Sequence, residues 1–153
     1  MVVKHEGQAL CIAEEMERRA IRVYERALMI TADPQVRSAI EDILRDERRH
    51  LARFSDMRAA HQVDVAEEKQ LIASMAAEVL FTGGVMEMKR EQALTTLKGL
   101  YQYAADSEAG AVRTYADFAK KCSDVAVYDA FMSIVREESG HLATLKEKIE
   151  AMD

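Results

Sequence analysis

Positions 13–52 of the chain repeat as positions 104–143 without a gap. Ala13, Glu17, Ala20, Arg22 and Tyr24 return as Ala104, Glu108, Ala111, Arg113 and Tyr115. Asp33, Val36, Ala39, Ile43 and Arg45 return as Asp124, Val127, Ala130, Ile134 and Arg136. Glu47, His50, Leu51 and Ala52 return as Glu138, His141, Leu142 and Ala143. That is about 14 identities in 40 positions, where ordinary composition gives roughly 1 in 15 by chance. The chain must therefore fold as two similar halves. In the first half Leu10, Ala13, Glu17, Ala20, Tyr24 and Leu28 recur at three- and four-residue steps, which puts them on one face of a helix. Glu15, Arg18, Arg19, Arg22, Glu25 and Arg26 fall on the remaining surface. A second inner face follows: Val36, Ile40, Ile43, Leu44, Glu47, His50, Leu51 and Phe54.

The first helix is expected over residues 6–29. Thr31-Ala32-Asp33-Pro34 stops it and starts the next, with Asp33 as cap and Pro34 in the first helical position. The second helix is expected to reach about His61. Residues 62–92 read as a long crossover with its own short helix over Val65–Leu80, broken at Phe81-Thr82-Gly83-Gly84. A third helix is expected from about Ala93 to Lys120. Cys122-Ser123-Asp124 forms a turn, and a fourth helix runs over Val125–Ala151. The fold class is all-α, a single domain over 1–153. Two duplicated antiparallel hairpins (about 6–61 and 93–151) are joined by the crossover. The long connection makes the second and third helices parallel, which is the ferritin-like four-helix bundle and not the up-down-up-down one.

A chain of 153 residues with 49% hydrophobic and 31% charged residues can bury one sizeable core. Its net charge of −6, with no basic run, excludes nucleic acid as the expected partner. No apolar run of about 18 residues is long enough to span a membrane. The polar start, Met1 to Gly7, lacks the apolar core of a signal peptide, so a cytoplasmic location is expected. Cys11 and Cys122 form no C-x-x-C pair and read as reduced thiols.

The repeat carries chemistry. Glu47 and His50 are three apart and share a helical face, as do Glu138 and His141. Glu17 and Glu108 sit mid-face on the partner helices. One Glu-x-x-His alone reads better as a salt bridge on an exposed helix. Six residues in register, duplicated and on the apolar face, match the set with which a bundle holds two metal ions. Four carboxylates in a core are costly when isolated. Two divalent cations balance them, with each His supplying one nitrogen.

The other candidates carry open readings. Tyr24 and Tyr115 are either core aromatics or hydroxyl donors to the ligand carboxylates. Asp46 and Glu137 read as surface charges, although each is four residues before a His. Gly99, Gly110 and Gly140 lie inside helices, where close packing explains them better than a substrate channel. His5 and His61 read as exposed. The methionines, Met16, Met29, Met57, Met75, Met86, Met88 and Met132 among them, read as core filler.

With Glu17-x-x-Ala20-x-x-x-Tyr24, Glu47-x-x-His50, Glu108-x-x-Ala111-x-x-x-Tyr115 and Glu138-x-x-His141, nearly the whole chain resembles the rubrerythrin-like branch of the ferritin-like diiron carboxylate proteins. The resemblance implies that Glu17, Glu47, His50, Glu108, Glu138 and His141 are iron ligands, with Glu47 and Glu138 bridging. It implies two iron ions as cofactor, oxo-bridged when oxidised, with manganese or a mixed pair also fitting the ligands. Hydrogen peroxide or dioxygen would be the substrate, and a homodimer is expected. Two departures stand out. Peroxidase members typically carry a further Glu three residues after the third-helix ligand, and here Ala111 holds that place. The paired C-x-x-C motifs of a rubredoxin domain are missing from the sequence, so a separate electron-donor protein is expected.

The sequence thus supports a non-haem diiron oxidoreductase, a peroxidase or oxidase. Two alternatives use the same residues: a ferroxidase or iron-handling protein, and a helical interaction module whose metals are structural.

Overall fold

A computed structural model describes residues 3–75 and 94–153. All regular structure among them is helical: α1 (Glu6–Ile30), α2 (Pro34–Arg58), α3 (residues 65–75), α4 (Leu97–Ala119) and α5 (Val125–Ala151). The fold is a helical bundle of the ferritin-like type. At 25 residues, α1 and α2 are each about 37 Å long.

The repeated caps set the helix starts. Asp33 accepts from Gln35 N at 2.9 Å with Pro34 beside it, and its counterpart Asp124 accepts from Ala126 N at 2.8 Å. Thr96 caps α4 by accepting from Gly99 N at 3.1 Å, so that helix begins at Leu97 and not near Ala93. Helix α2 ends at Arg58, with a turn carrying the chain to His61. The expected helix end at Leu80, the Phe81–Gly84 break, Met86 and Met88 lie outside the described residues.

Contacts at one end of the bundle establish the crossover. His61, just past α2, bonds Asp124 Oδ2 at 2.8 Å. At the same end Glu6, opening α1, accepts from Ser123 Oγ at 2.9 Å and from Asp124 N at 3.2 Å. The starts of α1 and α5 and the ends of α2 and α4 therefore meet. Helices α2 and α4 are therefore parallel, and α4 starts at the end of the bundle opposite His61. His61 is thus a tie between the hairpins and not the free helix-end residue that the sequence suggested.

Helix α3 lies against the first hairpin, where Gln8 bonds Glu67 and Arg58 Nη2 meets Glu68 Oε2 at 2.9 Å. Its Leu71 and Met75 join the apolar cluster of Leu10, Phe54, Phe118 and Phe131. One residue departs from the sequence reading. Glu15, expected on the surface, is buried and ringed by Arg18, Arg19 and Arg22. Neighbouring Glu14 is buried as well, held by Arg18, Ser55 and Arg58. Met75 is buried, and Met16, Met57 and Met132 pack against the core. Met29 does not, being 85% exposed at the last turn of α1.

A second apolar cluster, Ile21, Tyr24, Ile40, Leu44, Leu94 and Leu100 among its members, fills the other half of the bundle. The ionisable layer sits between the two clusters, away from either end. No helix among the described residues is long and apolar enough to cross a membrane.

Candidate metal centre

Each helix of the two hairpins contributes to the layer: Glu17 from α1, Glu47 and His50 from α2, Glu108 from α4, and Glu138 and His141 from α5. The fold brings all six together. Ligand atoms of Glu17, Glu47, His50 and Glu138 lie within 4.8 Å of one another, and so do those of Glu108, Glu138 and His141. Glu138 belongs to both groups and is placed to bridge. Glu47, expected to bridge as well, falls in the first group alone.

The histidines are oriented alike. His50 turns Nδ1 toward Glu138 Oε1 at 3.0 Å and Glu17 Oε1 at 3.9 Å. Its Nε2 faces Glu137 Oε1 at 3.3 Å. His141 turns Nδ1 toward Glu108 Oε1 at 3.8 Å and Nε2 toward Asp46 Oδ2 at 3.7 Å. Asp46 and Glu137 are therefore not bystander surface charges. Each faces the outer nitrogen of the other hairpin's His, where a carboxylate favours the tautomer with Nδ1 free for a metal. Arg49 reaches both, pairing with Glu137 and with Asp46 Oδ1 at 3.3 Å. The sequence reading tested each acid against the His on its own helix. The pairing crosses between α2 and α5, and the available signal was that both copies carry an acid at this position.

Tyr115 donates from its hydroxyl to Glu17 Oε1 at 2.7 Å, again linking one hairpin to the other. Burial pushes that hydroxyl well above its usual pKa, so it remains a donor. Tyr24 is equally enclosed and packs edge-on to Tyr103, with ring centroids 5.8 Å apart. Tyr115 is thus a donor to a carboxylate of the cluster, and Tyr24 is a core aromatic whose buried hydroxyl lies in the field of Glu47. Tyr115→Phe should leave a buried carboxylate oxygen without its partner, at a cost of about 1–3 kcal/mol. Metal affinity should fall by about 10-fold or more. Thermal melting and metal titration measure the two effects, and Tyr24→Phe should affect titration much less.

The electrostatics fit a cation. Glu17, Glu47 and Glu108 all have carboxyl pKa values raised, first because burial strips their hydration and then because the acids crowd together. Glu17 lies close to Glu47, and Glu108 to Glu138, so the acids repel one another when nothing cationic lies between them. Glu17 Oε2, Glu108 Oε2, Glu138 Oε2 and both His50 ring nitrogens are buried without a hydrogen-bond partner in the protein. Buried polar atoms are rarely left so. Their convergence on one layer is what a pair of hard or borderline cations would satisfy, and Glu and His suit iron or manganese better than a closed Cys-rich zinc site.

Two cavities border the layer. One, about 40 Å³, lies between α1 and α4 among Ala20, Ala111, Met16, Tyr115 and the four Glu. The other, about 140 Å³, opens beside His141 and is lined by Asp42, Asp46, Glu108, Thr144 and Lys148 among others. Close packing does not explain Gly110 or Gly140. A Cβ added at Gly110 or Gly140 would meet nothing within 4 Å.

No curated protein and no solved structure matches the chain. Residues 3–58, which span α1 and α2, match the family model described as Rubrerythrin. With the helical bundle and its Glu/His clusters, the chain is consistent with a rubrerythrin-like protein of the ferritin-like type.

Proposed function

We propose that the protein is a non-haem diiron oxidoreductase that reduces hydrogen peroxide or dioxygen with electrons from a separate donor protein. The observation that carries the reading is the convergence of unpartnered buried carboxylate and imidazole atoms from four helices on one layer. The chemistry that a ferrous pair would supply there is the transfer of two electrons to an oxidant. Glu17, Glu47, His50 and Glu138 would hold one ion, and Glu108, Glu138 and His141 the other. Tyr115 fixes the Glu17 carboxylate. The 40 Å³ cavity beside Ala20 and Ala111 has room for a molecule of two heavy atoms next to Glu17, Glu47, Glu108 and Glu138. The apolar clusters on either side limit water at the layer.

Stopped-flow oxidation of the anaerobically ferrous-loaded protein, with peroxide and dioxygen at matched concentration, tests the proposal. Oxidation of two irons per chain by either is expected. A loaded protein inert to both would overturn the reading and leave the metals structural. The ferroxidase alternative draws on the acidic lining of the 140 Å³ pocket, and continued uptake beyond two irons per chain would favour it.

A further inference from the structure

The two halves of the site repeat in sequence but differ at their outer walls. On the His50 side, Arg49 pairs with Glu137, Arg53 donates to Ser133 Oγ at 3.4 Å, and Phe54 is fully buried. Their counterparts in the second half are Gly140, Thr144 and Leu145. Thr144 lines the pocket beside His141 where Arg53 stands on the other side, and Gly140 leaves open space where Arg49 pairs with Glu137. The exposures follow: the His50 side chain is 2% exposed and the His141 side chain 36%. The 140 Å³ pocket opens on the His141 side, and Glu108, with its buried and unpartnered Oε2, forms part of its wall.

We propose that the two metal positions differ in exchange. The Glu17–Glu47–His50–Glu138 position retains its ion, while the Glu108–Glu138–His141 position trades aquated divalent cations with solvent through the pocket. The inference rests on the dinuclear reading above. Ligand exchange at a metal needs incoming water or chelator; of the two cavities at the layer, the one beside His141 is the larger, at 140 Å³, and the one beside Glu17 and Glu138 has 40 Å³, too little for a chelator. Asp42, Asp46, Glu47 and Glu108 in the pocket wall outnumber its one cation, Lys148, and favour a cation over an anion there.

Co(II) loading followed by an excess of EDTA tests this without any turnover. Loading to two Co(II) per chain is expected, with one equivalent leaving at least about 10-fold faster than the other. Gly140→Arg and Thr144→Arg place the first half's residues at the second mouth. Both should slow the fast phase and leave two-ion loading intact; Arg is a good helix former and these sites are open or exposed, so folding should survive. Arg53→Thr should speed the slow phase. His141→Ala should leave one slowly released ion. Release of both ions in a single phase, or loss of the slow ion in His141→Ala, would overturn the proposal. Failure of the unmodified protein to bind Co(II) at all would instead overturn the dinuclear reading, and the loading step separates the two outcomes.

Discussion

Glu138→Ala is expected to abolish the two-ion endpoint of an anaerobic Fe(II) or Co(II) titration, weakening both positions by at least about 100-fold. Glu138 is the one residue that both ligand groups share. Changing a group that only orients a ligand costs about 10–100-fold in metal affinity, and a ligand common to both ions should cost more. Glu17→Ala and Glu108→Ala provide the contrast, since each removes a carboxylate from one group only. Each should leave one ion bound. A Glu138→Ala protein that still titrates to two ions per chain would show that the bridging assignment is wrong.

The metal-free protein should melt at progressively lower temperature as pH rises from 6 to 9, and divalent metal should reverse the trend. Glu17, Glu47 and Glu108 have folded-state pKa values above 4.5 because of burial and mutual repulsion, with Glu108 pushed up to about 9. Between the unfolded and folded values the native state binds more protons than the unfolded chain, so stability falls with rising pH. The contribution of these groups is full below about 4.5 and is lost as pH passes through the folded values. One pKa unit corresponds to about 1.4 kcal/mol. That energy moves the Tm of a chain this size by roughly 3–6 °C. A fall of more than about 5 °C is therefore expected across the interval. Metal prefers the same carboxylates deprotonated, so at 100 times its Kd it should add about 2.7 kcal/mol. Melts by circular dichroism with and without Co(II) decide the matter. A metal-free Tm that climbs toward pH 9 would contradict the buried-carboxylate account.

Much of the architecture was legible because local chemistry and periodicity agree. Asp33 and Asp124 mark helix starts by the same capping geometry, and the six ligand candidates sit where a 3.6-residue period places them. The single offset also selected Glu138 over Glu137. What escaped were features that depend on which helices become neighbours. Asp46 and Glu137 look like solvated charges on their own helices, and only the approach of α2 to α5 turns each toward the other's His. Glu15 reads as surface from its helical phase, but it is buried among Arg18, Arg19 and Arg22. His61 lacked a visible partner until the crossover brought Asp124 within 2.8 Å. Gly140 reads as a close-packing residue from its place inside a helix, but the space beside it is open. The divergence of Arg49 and Arg53 from Gly140 and Thr144 was written in the alignment but carries meaning only once the pocket is known.

The parallel crossover has an evolutionary consequence. A homodimer of identical hairpins could build the same six-ligand layer, with the molecular dyad passing between the two ions. Every substitution would then be copied to both mouths, leaving both sealed or both open. Joining the copies in one chain, through the connection that runs back from His61 to Leu97, releases them from that constraint. One half can keep its arginines while the other drifts to glycine and threonine. The tether thus permits a division of labour between two formerly equivalent ligand sets, which no symmetric assembly of half-length chains could evolve.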